Sequence, residues 1–235
     1  MEIKLSATLR AYVTMIYILQ RSTGWAQTGE IAKRLGVTDA AVTQMVKRMA
    51  ENHLVRHRAY RGVCLTEKGQ RIAVEMIRHH RLLETFLYKT VGLPWDMIHD
   101  EAERLQAYIS PELESRIDAL LGFPQFDPHG SPIPSADGTI PEVTYKPLHD
   151  VAESGKQFVF SRVSDRDARL LRYIDSLPLP LGTVFTVEEM TPFEGPITIA
   201  TPNGHHVLSR EVAKHLHVHP ADHAGMPVPP EGMER

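Results

Sequence analysis

The stretch TGEIAKRLGVTDAAVTQMVKRMAENHLV, residues 28–55, has the most informative pattern in the chain. Its apolar residues recur at helical spacing in two runs, Ile31–Leu35 and Val42–Met49, which predicts two amphipathic helices. Gly36 ends the first helix, and the Thr-Asp pair that follows caps the second. Two helices joined by a short turn containing glycine are typical of a helix-turn-helix, although such spacing also arises by chance in helical hairpins.

The continuation, NHLVRHRAYRGVCLTEKG (residues 52–69), predicts a strand, a turn at residues 59–62 and a second strand. A β-hairpin in this place is a wing, which counts against a chance helical hairpin. Small and polar side chains at the start of the second helix suit base edges, and the basic side chains suit phosphates. We therefore predict a winged helix-turn-helix that contacts double-stranded operator DNA through Thr38, Ala40, Ala41, Thr43, Gln44, Lys47, Arg58 and Arg61.

The distribution of charge agrees with this prediction. The chain of 235 residues has a net charge of −3, yet residues 1–71 contain twelve Lys and Arg against five Asp and Glu. A basic first third ahead of an acidic remainder indicates that only the first third meets a polyanion. A solvated basic face is the alternative explanation for the excess.

Length and composition restrict the class of protein. A chain of 235 residues exceeds the usual size of one domain, so we expect two or three. No apolar run is long enough to span a membrane, and the N-terminal MEIKLSATLR lacks the apolar core of a secretory signal. The single cysteine, Cys64, cannot form an internal disulfide. We predict a cytoplasmic protein without a membrane partner.

After the wing, the pattern changes twice. Three helices are expected over residues 67–91, 95–109 and 111–121, followed by FPQFDPHGSPIPSADGTIPE (residues 123–142), which is typical of an extended linker. From residue 146, β-branched runs separated by Gly and Pro predict a small β-barrel or sheet with one helix, DARLLRYIDSL. The predicted fold class is α+β, with a winged helix-turn-helix DNA-binding domain in residues 1–72, a helical dimerisation and metal-binding domain with linker in 73–140, a small β-barrel in 141–220 and a disordered tail in 221–235.

The helical segment also predicts self-association. It holds more apolar positions than one antiparallel helix pair can bury, so we expect a two-fold homodimer that presents two recognition helices to successive major grooves. The positions concerned are Leu82, Leu83, Phe86, Leu87, Leu105, Ile109, Ile117, Leu120 and Leu121.

Two pairs of possible metal ligands lie on consecutive predicted helices. His80 and Glu84 are four residues apart, as are His99 and Glu103, so each pair lies on one helix face. One such pair alone is more often a surface pair. Two pairs, joined by Asp127 and His129 in the linker, favour a site for a divalent metal with nitrogen and oxygen ligands.

With these motifs in this order, the chain resembles the diphtheria-toxin-repressor family, and especially its three-domain manganese- and iron-responsive members. The segment RHHRLLETFLYKTVGLPWDMIHDEAERLQAYIS (residues 78–110) and the later DPHGSPIP carry the most specific part of the resemblance. The resemblance implies a metal-dependent homodimer that represses metal-uptake genes at a palindromic operator, and a third domain similar to the FeoA fold. It also implies metal ligands at His80, Glu84, His99, Glu103, Asp127 and His129, with Asp167 or else Asp165 from the barrel.

The chain departs from the family pattern at the usual regulatory site. Gln106 and Ala107 stand where the family has a Glu-His pair, and Ala11 and Thr14 replace N-terminal ligands. Either the principal site has moved to the remaining ligands, or the protein has lost metal control. We favour the first explanation, because the six residues from His80 to His129 named above stand where the family has ligands.

Three functions remain to be compared. The nitrogen and oxygen ligands suit Mn(II) or Fe(II), and other divalent transition metals are expected to substitute in vitro. A metal-dependent transcriptional regulator that is not an enzyme is the favoured interpretation. The alternatives are a metal-independent winged-helix regulator and a metallohydrolase, although no segment supplies a recognisable nucleophile or phosphate loop.

Overall fold

A computed structural model describes residues 6–165 and 167–222 of the chain. These residues form two compact units. The first takes the residues up to His80 together with Arg104–Pro111 and Pro134–Thr139, and the second takes Arg81–Glu103, Glu112–Ile133 and the residues from Ile140 onward. Most of the tail that we predict to be disordered, residues 223–235, lies outside the described residues. No helix in the described part of the chain has the length and apolar character needed to cross a membrane.

The first unit contains the predicted winged helix-turn-helix. Its elements are α1 (Ala7–Thr23), α2 (Thr28–Leu35), α3 (Asp39–Glu51), β1 (Val55–Arg58) and β2 (Gly62–Leu65). Gly36 ends α2 in the left-handed conformation, and the Thr38 hydroxyl accepts from the Ala41 amide to begin α3. The apolar faces of the helices and wing enclose one buried core, which includes Ile16, Ile31, Val42, Met49 and Leu54.

Helices follow the wing, with shorter bounds than the sequence predicts. They are α4 (Glu67–Phe86), a π-helical turn (Leu87–Val91), α5 (Ile98–Leu105) and α6 (Pro111–Leu120). Gly92 ends the π-helical turn with a φ of 78°, and Pro94 comes before the turn that leads into α5. The expected second helix therefore starts three residues late.

The second unit contains an antiparallel sheet. Its elements are β3 (Lys146–Pro147), α7 (Leu148–Val151), β4 (Gln157–Val163), α8 (Ala168–Ser176), β5 (Val184–Met190), β6 (Ile197–Thr201), β7 (Gly204–Leu208), α9 (Arg210–His215) and β8 (Leu216–Pro220). The strand order is β3-β8-β4-β5-β6-β7. Among the described residues β3 and β7 remain the two edges, so the small β-barrel or sheet predicted here is an open sheet. The pairing register shifts within β4 and within β5, as at a β-bulge, and the edge strands β3 and β7 do not pair with each other.

The segment predicted as a linker is partly buried. Residues 126–134 are all buried, including the polar Asp127, His129 and Ser131. Phe126 and Pro132 form an isolated bridge, and the amide of Val163 on β4 donates to the His129 carbonyl at 3.0 Å. Residues 125–133, closed by a hydrogen bond from the Ile133 amide to the Gln125 carbonyl, are called the Asp127 loop below. It is fixed to the sheet and is more than a tether.

Candidate metal centre and nucleic-acid interface

Glu84 lies in the last turn of α4, in a stretch whose leucines are buried. Leu82, Leu83 and Leu87 are buried, and the Glu84 side chain is 0% exposed. Burying a carboxylate is costly unless a cation or hydrogen-bond donors meet it. His80 lies one turn earlier on the same helix, and both residues offer ligand atoms within 4.8 Å of each other. The helix spacing predicted from the sequence therefore holds for this pair.

Asp127 is also buried, at 1% exposure, and its two oxygens have different surroundings. Oδ1 accepts hydrogen bonds of 2.9 Å from the amides of His129 and Ser131. Oδ2 lies 3.6 Å from Nε of Arg81, whose guanidinium also donates to the Pro132 carbonyl. One oxygen thus binds the backbone of the loop, and the other lies beside Arg81.

His129 is 0% exposed and uses its two ring nitrogens differently. Nε2 lies 3.2 Å from the carbonyl oxygen of Trp95, whereas Nδ1 lies 3.8 Å from Oε1 of Glu84. Gly130, with a φ of +85°, permits this loop conformation. A Cβ at that position would meet the Ser161 carbonyl oxygen at 2.0 Å, so the loop needs glycine there.

Glu84, Asp127 and His129 form one cluster of possible metal ligands. Each offers a ligand atom within 4.8 Å of the others, and all three are buried. Within the described residues, neither Oδ2 of Asp127 nor Nδ1 of His129 has a hydrogen-bond partner. Burial and the neighbouring Glu84 raise the pKa of Asp127 to about 6, although Arg81 and His129 oppose the shift. Two buried carboxylates beside a histidine suit a divalent cation. Such a cation would neutralise the carboxylates and would bind Oδ2 of Asp127 and Nδ1 of His129, two atoms that lack a hydrogen-bond partner in the part of the chain that the structure describes.

His99 and Asp165 extend this cluster within the second unit. Nδ1 of His99 lies 3.1 Å from Oε1 of Glu84 and 3.7 Å from Oδ2 of Asp165. Both side chains remain partly exposed, at 31% and 22%. Glu84 therefore has His99 beside it as well as the Asp127 loop.

Two of the predicted ligands lie apart from this cluster. Glu103 is exposed on α5, one turn beyond His99. Asp167 caps α8, accepting from the Arg169 amide at 2.9 Å, and pairs with the Arg169 guanidinium at 3.1 Å. These contacts lower the pKa of Asp167 to about 2. Of the two carboxylates that the sequence leaves open, Asp165 is the one beside His99.

Sequence reasoning did not identify Arg81 and Trp95 as parts of this site. Arg81 directly follows a predicted ligand, and its charge offsets part of the acidity around Asp127. Burial lowers the pKa of Arg81, while Asp127 opposes that effect. Trp95 lies four residues before His99, and a large aromatic residue beside a ligand-bearing helix was the available signal.

The predicted DNA contacts lie on α3 and the wing, and nearly all are exposed. Ala41 is partly buried, whereas Ala40, Gln44, Lys47 and the other candidates are exposed. The Thr43 hydroxyl donates to the Asp39 carbonyl at 2.9 Å, and the Thr38 hydroxyl caps α3.

The wing is held against the loop before α2. The Ala26 and Val63 backbones pair, and Nε2 of Gln27 donates to the Arg61 carbonyl at 2.9 Å. The guanidinium of Arg58 lies 5.6 Å from the centre of the Trp25 ring. Backbone pairing and these side-chain contacts fix where the wing arginines stand.

Comparison with known proteins matches three segments of the chain to three domain families. Residues 4–63 match the iron dependent repressor N-terminal DNA binding domain, and residues 66–135 match the iron dependent repressor metal binding and dimerisation domain. Residues 146–220 match the FeoA domain. A solved manganese-dependent transcriptional repressor in complex with manganese superimposes with a TM-score of 0.81 and 37% identity, covering 90% of this chain and 99% of the other.

The chain belongs to the iron-dependent repressor family. Among its curated relatives, the regulator MntR of Bacillus pumilus (strain SAFR-032) is 32% identical over 49% of this chain and 80% of its own. The iron-dependent repressor IdeR of Mycobacterium tuberculosis (strain CDC 1551 / Oshkosh) is 37% identical over 54% of this chain. The match spans about half the length of that relative, 55%. The family consists of transcriptional regulators and not enzymes, so the metallohydrolase alternative is set aside.

Proposed function

We propose that this protein is a manganese- or iron-dependent transcriptional repressor of metal-transport genes that binds a palindromic operator as a homodimer. The observation that carries the proposal is the buried convergence of Glu84, Asp127 and His129 in a chain that begins with a winged helix-turn-helix. The relatives include manganese-dependent and iron-dependent repressors, which supports both the metal and the activity.

The proposed metal centre combines the acidic cluster with neighbouring ligands. Its first part is Glu84, Asp127 and His129. Its second part is His99, which lies beside Glu84, and Asp165, which lies beside His99. His80, one turn before Glu84 on α4, stays a predicted ligand. Of the two carboxylates left open, we assign Asp165 to the centre, because Asp167 caps α8 and pairs with Arg169. A bound divalent ion supplies the positive charge that the buried carboxylates require. Ligands with nitrogen and oxygen donors suit Mn(II) and Fe(II), and Zn(II), Co(II) and Ni(II) are expected to bind in vitro.

The switch follows from which segments the ligands belong to. Glu84 lies in the last turn of α4, Asp127 and His129 lie in the Asp127 loop, and Asp165 follows β4. Without a cation, the two buried acids repel each other and oppose this close approach. Metal binding therefore favours the conformation in which helix, loop and sheet meet. The available coupling is the difference in metal affinity between that conformation and others, about 1–3 kcal/mol in typical cases.

DNA binding is proposed for α3 and the wing. Gln44 is exposed near the start of α3, where a side chain can reach a base edge, and Lys47 follows one turn later. Arg58 and Arg61 on the wing suit phosphate or minor-groove contacts. A two-fold dimer would place two such heads in successive major grooves of a palindromic site.

The dimer is proposed on the exposed face of α6. Leu113 and Leu120 are seven residues apart, which places them on one helix face, and they are 51% and 65% exposed. Phe123, just beyond the helix, is 70% exposed. Several apolar residues that we expected to form the dimer, namely Leu82, Leu83, Leu87 and Ile117, are instead buried within the chain. The interface therefore depends on fewer residues than the sequence indicates.

The function is tested by selecting DNA duplexes from a random library with the full chain and Mn(II), then measuring affinity for the selected duplex with Mn(II) or with excess chelator. We expect a palindromic site and roughly 5- to 150-fold tighter binding with Mn(II). Equal affinity with metal and chelator would instead establish the metal-independent regulator, which the substitutions Ala11 and Ala107 leave as the second candidate. Failure to select any sequence would remove DNA recognition itself.

A further inference from the structure

Trp95 lies in the turn before α5 and contacts two consecutive residues of the Asp127 loop. Its indole Nε1 donates to the Pro128 carbonyl at 3.1 Å. Its ring stacks on the His129 imidazole, with centroids 5.2 Å apart and an interplanar angle of 26°. Its main-chain oxygen lies 3.2 Å from Nε2 of His129. One residue thus holds the loop with a ring face, an indole N–H and a carbonyl.

The carbonyl contact determines which nitrogen of His129 carries the proton. A carbonyl oxygen only accepts hydrogen bonds, so Nε2 must be the protonated nitrogen. In the neutral ring, Nδ1 then holds the lone pair. Nδ1 is the atom 3.8 Å from Oε1 of Glu84, and it has no hydrogen-bond partner in the described part of the chain. The contact with Trp95 therefore leaves a free lone pair beside the buried acids.

Trp95 is itself fixed in place. Its ring packs against the buried core of the sheet, which includes Phe160 and Leu171. The next residue, Asp96, pairs with Arg172 of α8 at 2.6 Å. The ring is thus packed on the core of the sheet and the neighbouring side chain is paired with α8, so His129 stacks on a residue that is held from two sides.

We propose that Trp95 is a positioning residue of the metal centre, which holds His129 as the Nε2–H tautomer with Nδ1 directed at Glu84 and Asp127. Groups that hold a ligand histidine through its second nitrogen commonly change metal affinity by about 10- to 100-fold when they are removed. The inference rests on the proposed metal centre, but the tautomer exists without metal and is measurable by itself.

The tautomer is read first, by long-range proton–nitrogen NMR of the metal-free full chain labelled on histidine, with the His129 signals assigned by their loss in His129→Gln. We expect a protonated Nε2 and an unprotonated Nδ1. Trp95→Leu keeps the main-chain carbonyl but removes the ring and the indole N–H, which hold the loop against that carbonyl. We therefore expect this single tautomer to give way to a mixture. A proton on Nδ1 in the parent, or an unchanged spectrum in Trp95→Leu, contradicts positioning by Trp95.

Metal affinity is read second, by calorimetric titration with Mn(II). Trp95→Leu should bind about 10- to 100-fold more weakly, and Trp95→Phe, which keeps a stacking ring, should lie between it and the parent. Trp25→Phe is the matched control, because Trp25 is the only other tryptophan and lies beside the wing. Thermal unfolding of each metal-free variant separates lost positioning from lost folding, and Trp95→Phe remains informative if the leucine variant unfolds.

The outcomes distinguish the two proposals. Parent affinity for Mn(II) in both Trp95 variants overturns the positioning role and leaves the metal centre standing. If the parent itself binds no Mn(II), the proposed function fails, even where the Nε2–H tautomer is observed. Weaker binding in both variants with an intact fold supports the two together.

Discussion

At the scale of single residues, Asp127 is the group whose environment conflicts most with its charge. It is buried beside Glu84, and burial and the Glu84 charge raise its pKa to about 6 from the ordinary value of 3.8. Because the folded state of the metal-free protein holds this proton more tightly than the unfolded state, stability from this group is full below about pH 4 and is lost as pH rises through about 6. A carboxylate that weakens the fold at neutral pH is typical of a functional site.

Asp127→Asn tests this conflict. The variant should flatten the fall in the free energy of unfolding between pH 4 and 6, because no carboxyl remains to ionise there. It should also lose most of the stabilisation by Mn(II), which for the parent is about 2.7 kcal/mol at a metal concentration of a hundred times Kd. Urea unfolding at pH 4.5 and 7, with and without Mn(II), measures both effects.

Asp167→Asn is the control for that measurement. Asp167 is exposed and caps α8, and asparagine caps a helix about as well as aspartate. The control should keep the manganese response. Loss of the response in Asp167→Asn, with retention in Asp127→Asn, would transfer the site to the carboxylate favoured by sequence alone.

Single residues also separate the two kinds of DNA contact. Gln44→Ala should relax discrimination at one base pair by about 1–3 kcal/mol, since a side chain on α3 reads a base edge. Arg61→Ala should lower the affinity for all duplexes alike. It should also reduce the dependence of affinity on salt, because a protein with one phosphate contact fewer releases fewer counterions on binding. Affinities for single-base variants of the selected duplex at several salt concentrations measure both. If neither substitution changes them, α3 and the wing have been misassigned as the contact surface.

At the scale of elements, the Asp127 loop depends on the close approach of Gly130 to β4. Gly130→Ala adds a Cβ that would meet the Ser161 carbonyl, at a φ of +85°. Gly138→Ala is a matched control, because its φ is +87° and its Cβ would meet nothing closer than a Val74 methyl at 3.7 Å. Positive φ alone costs about 1–3 kcal/mol, so both variants lose stability.

The two glycine variants should differ in the metal centre. Only Gly130→Ala should also weaken Mn(II) binding by tenfold or more, because only there must the loop move away from the sheet. Calorimetric titration and thermal unfolding of both variants supply the comparison. Equal metal affinities in the two variants would show that the position of the loop against β4 does not matter to the centre.

Some of these elements could be predicted from the sequence and others could not. The helix-turn-helix could be predicted because its periodicity, Gly36 and the Thr38 cap act locally. The open sheet could not, because closure depends on whether the distant strands β3 and β7 meet. The Asp127 loop looked like a linker from its Pro and Gly content, since composition does not reveal that the backbone is buried against β4. Trp95 was missed for a similar reason, because its contact with His129 joins residues 34 positions apart.

At the scale of the whole molecule, binding to a palindromic operator requires two copies of the chain. Leu120→Glu should weaken self-association by at least about tenfold, because burying one leucine contributes about 1.5–3 kcal/mol and a charge there would have to be desolvated. Val207→Glu is the control, since Val207 is 60% exposed and lies on β7, outside the segment that matches the dimerisation domain. Sedimentation across a range of concentrations with Mn(II) present measures both. A parent chain that stays monomeric at tens of micromolar would rule out the dimer.

The central claim is that the regulatory metal lies at the buried cluster of Glu84, Asp127 and His129, and not at the position of Gln106. Anomalous diffraction from crystals of the full chain soaked in Mn(II), recorded on both sides of the manganese absorption edge, locates the ion directly. We expect a peak bonded to Oδ2 of Asp127 and Nδ1 of His129, with Glu84 beside it and Asp167 still capping α8. A peak at Gln106 with none at this cluster would contradict the account.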